Sequence, residues 1–519
     1  MICSYLSGVF KDLLSSRFLA ETCSVFMLGI LPLAFRDGFF DINRFKVELV
    51  ICIVPAMLLL LALAAWMERH CQKEALVSCR YRSADMALSA FLIACVISAA
   101  TQRFSAETLW GNTGRYCGLI FLFCCIAVSF LIEHGLQDDG LVLSAAVWIS
   151  VIVALLGILN GYRIDPLNFY TRIKPSKIPL FLSTIGNIDF FGAYLSLLCP
   201  IAAAQCVFAR STRRMLAFAA ASSCIICGIV VSRSDSAVAA LQLSLLALAA
   251  LCGNSLKRLF RINLIWAYSF AVVPFAACLL KFGRWHVAYT GILEFLSRPS
   301  VAFTAALFYL LCACGCLWAM HKGAKAPGRR KLFLLCSAAL VALLAMLVIS
   351  IVYFTVIDTQ TELGAAETVF RFNDNWGTRR GFVYRCSLEA FSQFSLAQKL
   401  FGGGVDCTRQ ILAPHMDNAH MLRYGVFNDA HCQPLQFLLT TGIVGASAYI
   451  AFWFLTVQAC LCSDSDDSYL CGIIAALTGY TVTALLGVTQ PIIMTTYFSV
   501  ATLGLARIYH MRRRESHES

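Results

Sequence analysis

The stretch DAHCQPLQFLLTTGIVG (429–445) sets His431 at the mouth of an apolar run, with Leu435 and Gln436 after it and a Gly442-x-x-Gly445 pair beyond. A neutral imidazole accepts a proton near pH 7, so a histidine at such a place suits a general base. Just upstream, the segment 356–430 gathers Arg371, Arg379, Arg380, Arg385, Lys399, Arg409 and Arg423. Guanidinium keeps its charge near apolar surroundings and binds anionic oxygens through paired N–H donors, so this cluster fits a polyanionic ligand. Two further arginines sit between apolar runs, Arg115 in LWGNTGRYCG (109–118) and Arg233 in VSRSDSAVAA (231–240). Each has a plainer reading beside the chemical one. A basic loop is commonly just solvated, Arg233 has Asp235 and Asp189 as possible partners, and Arg385 has Glu389 at i, i+4. His415 and His420 lie close enough in sequence to compete with His431.

The elements that must position these residues are membrane helices. Of 519 residues, 59% are hydrophobic and 13% charged, against about 25% charged in a soluble domain. Apolar runs long enough to cross about 30 Å of hydrocarbon recur along the whole chain. We read about fourteen spans, at 18–35, 48–67, 84–101, 116–132, 140–159, 188–209, 215–231, 236–252, 262–280, 301–320, 332–355, 431–460, 469–487 and 490–508. The run at 431–460 is long for one crossing and predicts a helix that tilts or extends past the bilayer. The expected fold is an all-α polytopic bundle forming a single membrane domain over 1–519, with a large loop at 356–430.

Charge orients the bundle. Short loops on one face carry Lys11 and Arg17; Arg69, Lys73, Arg80 and Arg82; Arg210, Arg213 and Arg214; Lys257, Arg258 and Arg261; and a run from Lys322 to Lys331. The tail adds Arg507 and Arg512 to Arg514. By the positive-inside rule this face is cytoplasmic, so both termini are inside, and the 356–430 loop with His431 is outside. Within that loop, FVYRCSLEAFSQF (382–394) is amphipathic and predicts a helix lying on the membrane surface.

Other classes fall away. The net charge of +12 fits basic cytoplasmic loops, and no nucleic-acid-binding motif accompanies it. Most of the 25 cysteines lie inside apolar runs, where a thiol behaves as a small hydrophobe. Cys386, Cys407 and Cys432 lie outside, where a disulfide is chemically open to them. Histidine and cysteine show no zinc spacing, and we expect no metal and no cofactor. Gly402 and Gly404 lack the Lys-Ser/Thr sequel of a nucleotide loop and read as a tight turn. The first residues lack a signal-peptide pattern and read as an amphipathic lead-in.

Taken in order, the outward stretches resemble the O-antigen ligase and polysaccharide polymerase family of bacterial envelope enzymes. Gly186, Asn187, Phe190 and Tyr194 match its G-N-x-N-F-x-A-x-Y-L helix entry, and Ser232–Arg233 its next hairpin. Gly377 and Arg380 match G-S-G-R-x-x-x-W, with Tyr384 in place of the tryptophan. Leu400, Phe401, Gly402 and Gly404 match L-F-G-x-G. His431, Leu435, Gln436, Thr441, Gly442 and Gly445 match H-N-x-Y-L-Q-x-x-x-E-T-G-x-x-G without a gap. AFRDGFFDINRFK (34–46) and WGNTGRYCGL also look like this group, so the similarity covers about residues 30 to 445. The chain departs at Cys432, Pro434, Thr440 and Asp189, where the family has Asn, an aromatic residue, Glu and Asn. Those departures bear on acceptor recognition.

The resemblance implies a GT-C-like bundle in the bacterial cytoplasmic (inner) membrane. It implies transfer of a glycan from an undecaprenyl-diphosphate carrier to a hydroxyl acceptor, either a glycolipid or another lipid-linked repeat. It casts His431 as the base, and Arg233, Arg380, Arg115 and Arg385 as ligands of the diphosphate. A direct displacement would invert the anomeric centre, and no glycosidase-like carboxylate pair stands out, although Asp374, Asp406 and Asp429 share the loop. A lipid-linked oligosaccharide flippase is the main rival, but transporters place polar residues at mid-membrane and show repeats. A peptidoglycan polymerase of the shape-and-division family is a second, typically relying on an outer-loop aspartate. A non-enzymatic scaffold leaves the arginines and histidine unexplained.

Overall fold

The computed structural model describes residues 16–71, 83–136, 140–282, 289–417, 421–422, 425–463, 466–488 and 490–518. The N-terminal lead-in before Ser16, the basic residues within 72–82, and His420 and Arg423 lie outside the described residues.

Each apolar window forms helix. We number the long helices α1 (Ser16–Val25, continued through a π-helical turn to Leu33), α2 (Ile42–Cys71), α3 (Ser83–Thr101), α4 (Leu119–Gly135), α5 (Gly140–Gly161), α6 (Ile188–Phe208), α7 (Thr212–Val231) and α8 (Asp235–Leu251). They continue as α9 (Leu256–Phe282), α10 (Pro299–His321), α11 (Arg329–Val352), α12 (Trp376–Gln393), α13 (Gln433–Leu461), α14 (Ser468–Leu486) and α15 (Pro491–Glu518). Among the described residues, 11 helices are long and apolar enough to cross a membrane, and α4 and α8 are shorter apolar helices. The chain is an all-α, multi-pass membrane protein. A backbone in hydrocarbon must satisfy its own polar groups, and helices do so within one segment.

Helix α6 sits at the centre, packed against α7, α8 and α14, and α8 also packs against α14, while α13 pairs with α3 and α15 with α4. Small residues permit these approaches: a Cβ on Gly472 of α14 would fall 2.8 Å from the backbone of Ile201 in α6, the kind of close contact that packs helices in lipid. The periphery is different. None of the apolar stretch from Arg329 to Ile357 is buried. Ahead of α6, β1 (Phe181–Leu182) pairs antiparallel with β2 (Gly186–Asn187). Asn187 then caps α6, its Oδ1 accepting the Asp189 N–H at 2.8 Å.

The run at 431–460, expected to tilt or to extend past the bilayer, forms α13 as one long apolar helix that is broken at Gly442, whose φ of 69° and ψ of −171° are non-helical. The break frees carbonyls that an apolar environment penalises if left bare. The Gly403 N–H donates to Leu439 O at 2.8 Å, and Ser98 Oγ of α3 donates to Thr440 O at 2.5 Å. The short helix Leu396–Phe401 opens with a Ser395/Gln398 capping box and closes at Gly402, with φ of 82°, so the Gly402–Gly404 region is a tight turn. Turn and break touch backbone to backbone: a Cβ on Gly442 would lie 2.3 Å from Leu400, and one on Gly402 2.3 Å from Thr440.

The amphipathic helix at 382–394 forms as part of α12, but its apolar face is covered by protein rather than laid on a bilayer. Phe382, Val383, Cys386 and Ala390 pack with Leu412, Met416, Ala430 and Leu439 into a small core of their own. The loop thus folds back over the end of α13, which spares those side chains from both water and lipid.

The contact between turn and break yields a first prediction. Gly442→Ala places a side chain in a backbone region reserved for glycine and against Leu400, and should destabilise the protein by at least about 1–3 kcal/mol. Thermal unfolding of the purified protein in detergent would read this as a lowered midpoint. An unchanged midpoint would mean the turn and the break do not touch.

Candidate active site

Three segments remote in sequence meet beneath the α12 loop. The turn after the short helix Ala106–Trp110 carries Arg115, the segment after the Gly402 turn carries Asp406, and the irregular segment entering α13 carries Asp429 and His431. Arg115 is 1% exposed. Its Nε lies 3.5 Å from Asp406 Oδ1, and its guanidinium also pairs with Asp429. Asp406 in turn accepts the Asn112 and Cys117 N–H groups, at 2.8 and 3.2 Å, from the same turn that holds Arg115. Burial works against the Arg115 cation, and the two carboxylates outweigh it. Burial also pushes the Asp406 carboxyl up, to about 6, while Arg115 and the two backbone donors hold it down.

Asp429 hands this charge cluster on to the histidine by accepting the backbone N–H of His431. The neighbouring Ala430 N–H donates to Gln436 Oε1 at 3.0 Å, and Gln436 Nε2 donates to Thr408 Oγ1 at 2.6 Å. Tyr384 of α12 closes the other side, its hydroxyl placed to share its one proton between His431 O at 3.3 Å and Leu485 O at 3.2 Å. The result is a histidine held at φ 51°, in the left-handed region that a non-glycine residue adopts only when its surroundings fix it. The imidazole packs edge-on against Phe427. Among the described residues, no hydrogen bond occupies its ring nitrogens. Burial lowers its pKa from the ordinary value, opposed by the Asp429 carboxylate and assisted by the Arg380 and Arg115 cations.

The other sequence candidates separate. Arg380, at the start of α12, is half-buried and donates to Gly377 O at 2.9 Å, while its Nε is buried without a partner among the described residues. Its charge acts on both His431 and Asp235. Arg233, in the hairpin between α7 and α8 with φ 61°, donates to the Pro179 carbonyl. Neither of its expected partners takes it up: Asp189 accepts Ser234 Oγ at 2.7 Å, and Asp235 accepts the Leu293 N–H at 3.0 Å. Burial lowers the Arg233 pKa, the mark of a cation short of solvent. Arg385 is exposed and makes a two-point ion pair with Asp374, at 3.0 and 2.8 Å, rather than with Glu389. Glu389 lies 3.9 Å from His415. Cys386, Cys407 and Cys432 are free thiols.

Among the described residues one group has metal-ligating donors close together: Asp85, Glu133 and His134, within 4.8 Å of one another. It sits at the opposite ends of α3 and α4 from the site, since Ser98 of α3 touches the α13 break and Cys117, ahead of α4, touches Asp406. Thirteen residues of helix separate Asp85 from Ser98, about 20 Å at 1.5 Å per residue.

Sequence reasoning named Asp406 and Asp429 only as loop acidic residues and missed them as the partners of Arg115. Nothing local signals a contact across some three hundred residues. Tyr384 was noted as a replacement for an aromatic position, but its hydrogen bond to the His431 carbonyl was not foreseen.

No curated protein matches the chain. Residues 288–450 match the family model for O-antigen ligase, a segment that holds α12, the Gly402 turn, Asp406, Asp429, His431 and the Gly442 break. The resemblance read from the ordered motifs is thus supported over 288–450, where the chain is similar to the O-antigen ligase family.

Proposed function

We propose that this protein transfers a glycan from an undecaprenyl-diphosphate carrier to a hydroxyl acceptor, at the outer face of the bacterial cytoplasmic membrane. The observation that carries the reading is His431: an imidazole whose ring nitrogens no hydrogen bond occupies among the described residues, held in a strained backbone conformation, with the charge of Arg380 acting on it. The acceptor oxygen attacks the anomeric carbon while its proton passes to the neutral imidazole. The bond from that carbon to the phosphate oxygen breaks, and the electron pair leaves with the lipid diphosphate. Direct displacement inverts the anomeric configuration. Arg380 and Arg233, both poorly solvated and without a carboxylate partner among the described residues, are the cations we assign to the departing diphosphate. Arg385, exposed and already paired with Asp374, is a weaker candidate. Whether the acceptor is a glycolipid or a second lipid-linked repeat decides between ligase and polymerase, and the departures at Cys432, Pro434 and Thr440 fall in the motif nearest the base.

Protein in liposomes, supplied with a lipid-diphosphate glycan and hydroxyl acceptors, should release lipid diphosphate and form the joined glycan. His431→Ala should slow transfer by about 10²–10⁴-fold, and Arg380→Ala should also reduce it strongly while both variants remain folded. Full activity in both variants would remove the site assignment. Movement of the lipid across the bilayer without product would favour a flippase instead.

The reading also fixes a pH dependence. The base works when neutral, and burial holds His431 below the ordinary imidazole value, about 6.5. Activity should therefore persist at pH 7 and fall only as the pH drops through a midpoint below that value. An acid limb above pH 7, measured as kcat/KM, would contradict it.

A further inference from the structure

We infer that Arg115 is a positioning residue for His431, not a ligand of the diphosphate: the Asp406–Arg115–Asp429 cluster fixes the loop bearing the imidazole and balances the charge around it. This rests on the reading of His431 as the base. At 1% exposure, Arg115 has almost no surface to offer a substrate, and its guanidinium faces two carboxylates instead. Asp406 is locked to the Arg115 turn by two backbone N–H groups. Asp429 runs from Arg115 to the His431 N–H. The second tether, from Ala430 through Gln436 to Thr408, returns to the same short segment as Asp406. The left-handed conformation of His431 is thus held from both sides by groups whose own positions depend on one buried cation.

The same arrangement sets the field at the ring. The charged groups acting on His431 are Asp429 on its own loop, Arg380 on α12, Arg115 before α4 and Asp189 at the start of α6. Asp429 favours the protonated imidazole, and Arg115 and Arg380 oppose it. Arg115 is the cation that also pairs with Asp429, so it offsets the carboxylate nearest the base.

The test compares full-length wild type with Arg115→Gln, Arg115→Lys and Asp429→Asn in liposomes. It reads KM for the lipid-linked glycan, kcat and the pH profile. Alongside, diethylpyrocarbonate modification of His431, followed by peptide mass spectrometry across pH, titrates the residue without needing turnover. Arg115→Gln should lower kcat by about 100-fold through misplacement of the base, with KM changed by no more than about twofold. It should move the His431 midpoint to higher pH, whereas Asp429→Asn should move it lower. Arg115→Lys should leave the midpoint in place and recover part of kcat. If Arg115→Gln does not fold, the opposed behaviour of Arg115→Lys and Asp429→Asn carries the test. A raised KM with kcat intact would make Arg115 a diphosphate ligand, and unmoved midpoints would remove its influence on the ring; either overturns the inference. Absence of glycosyl transfer by wild type sinks the proposed reaction alone, because the modification titration still reports whether Arg115 governs His431.

Discussion

A guanidinium taken out of water must find anions at short range, and Arg115 finds two. Removing one member of such a buried set leaves an uncompensated charge, at a penalty of about 3–5 kcal/mol, so the segments carrying Arg115, Asp406 and Asp429 have to arrive together. The constraint explains a feature otherwise hard to account for in a membrane protein: a buried histidine, the base of the proposed reaction, on irregular backbone. The segment from Val426 to Cys432 has no regular structure, yet its carboxylate, its two following N–H groups and the His431 carbonyl are all engaged. Order is supplied by charge and side-chain hydrogen bonds rather than by a ladder.

The break in α13 complements this. An unbroken helix would keep its carbonyls for itself, but at Gly442 the backbone turns aside and two of them become acceptors for Gly403 and Ser98. The loop gains a hydrogen-bonded attachment to the bundle below the level of His431, while the small core of α12 against Leu412, Met416 and Leu439 provides an apolar one. The irregular segments that carry the site's polar groups are thus anchored to helices, as the proposed reaction, which must orient two large substrates, requires.

Much of this was legible in the sequence, for reasons that differ residue by residue. The helices follow from apolar length, which is a property of contiguous residues. The choice of His431, Arg233 and Arg380 as candidates follows from ordered motifs. What stayed hidden depended on distant contacts. The amphipathic pattern at 382–394 reports an apolar face but not what covers it, and protein covers it here. Arg385 had two acidic residues within reach, and the nearer in helical spacing was not the one chosen. Arg115 read as a substrate cation because its sequence neighbours gave no sign of Asp406 and Asp429. The Gly442 break was hidden inside an apolar run whose length suggested tilt.

The clasp between Gly402 and Gly442 has a consequence for how such a protein can diversify. Its two sides are pinned backbone to backbone, so the chain between them is a closed loop whose ends do not depend on its length. Closing a longer loop adds only about 0.6 kcal/mol for each doubling. Exposed residues between the Asp406–Thr408 anchor and Asp429, apart from Leu412 and Met416 in the small core, can therefore be lengthened or rewritten, reshaping what the surface presents to the substrate of the proposed reaction, while the imidazole stays where the clasp and the buried charges put it.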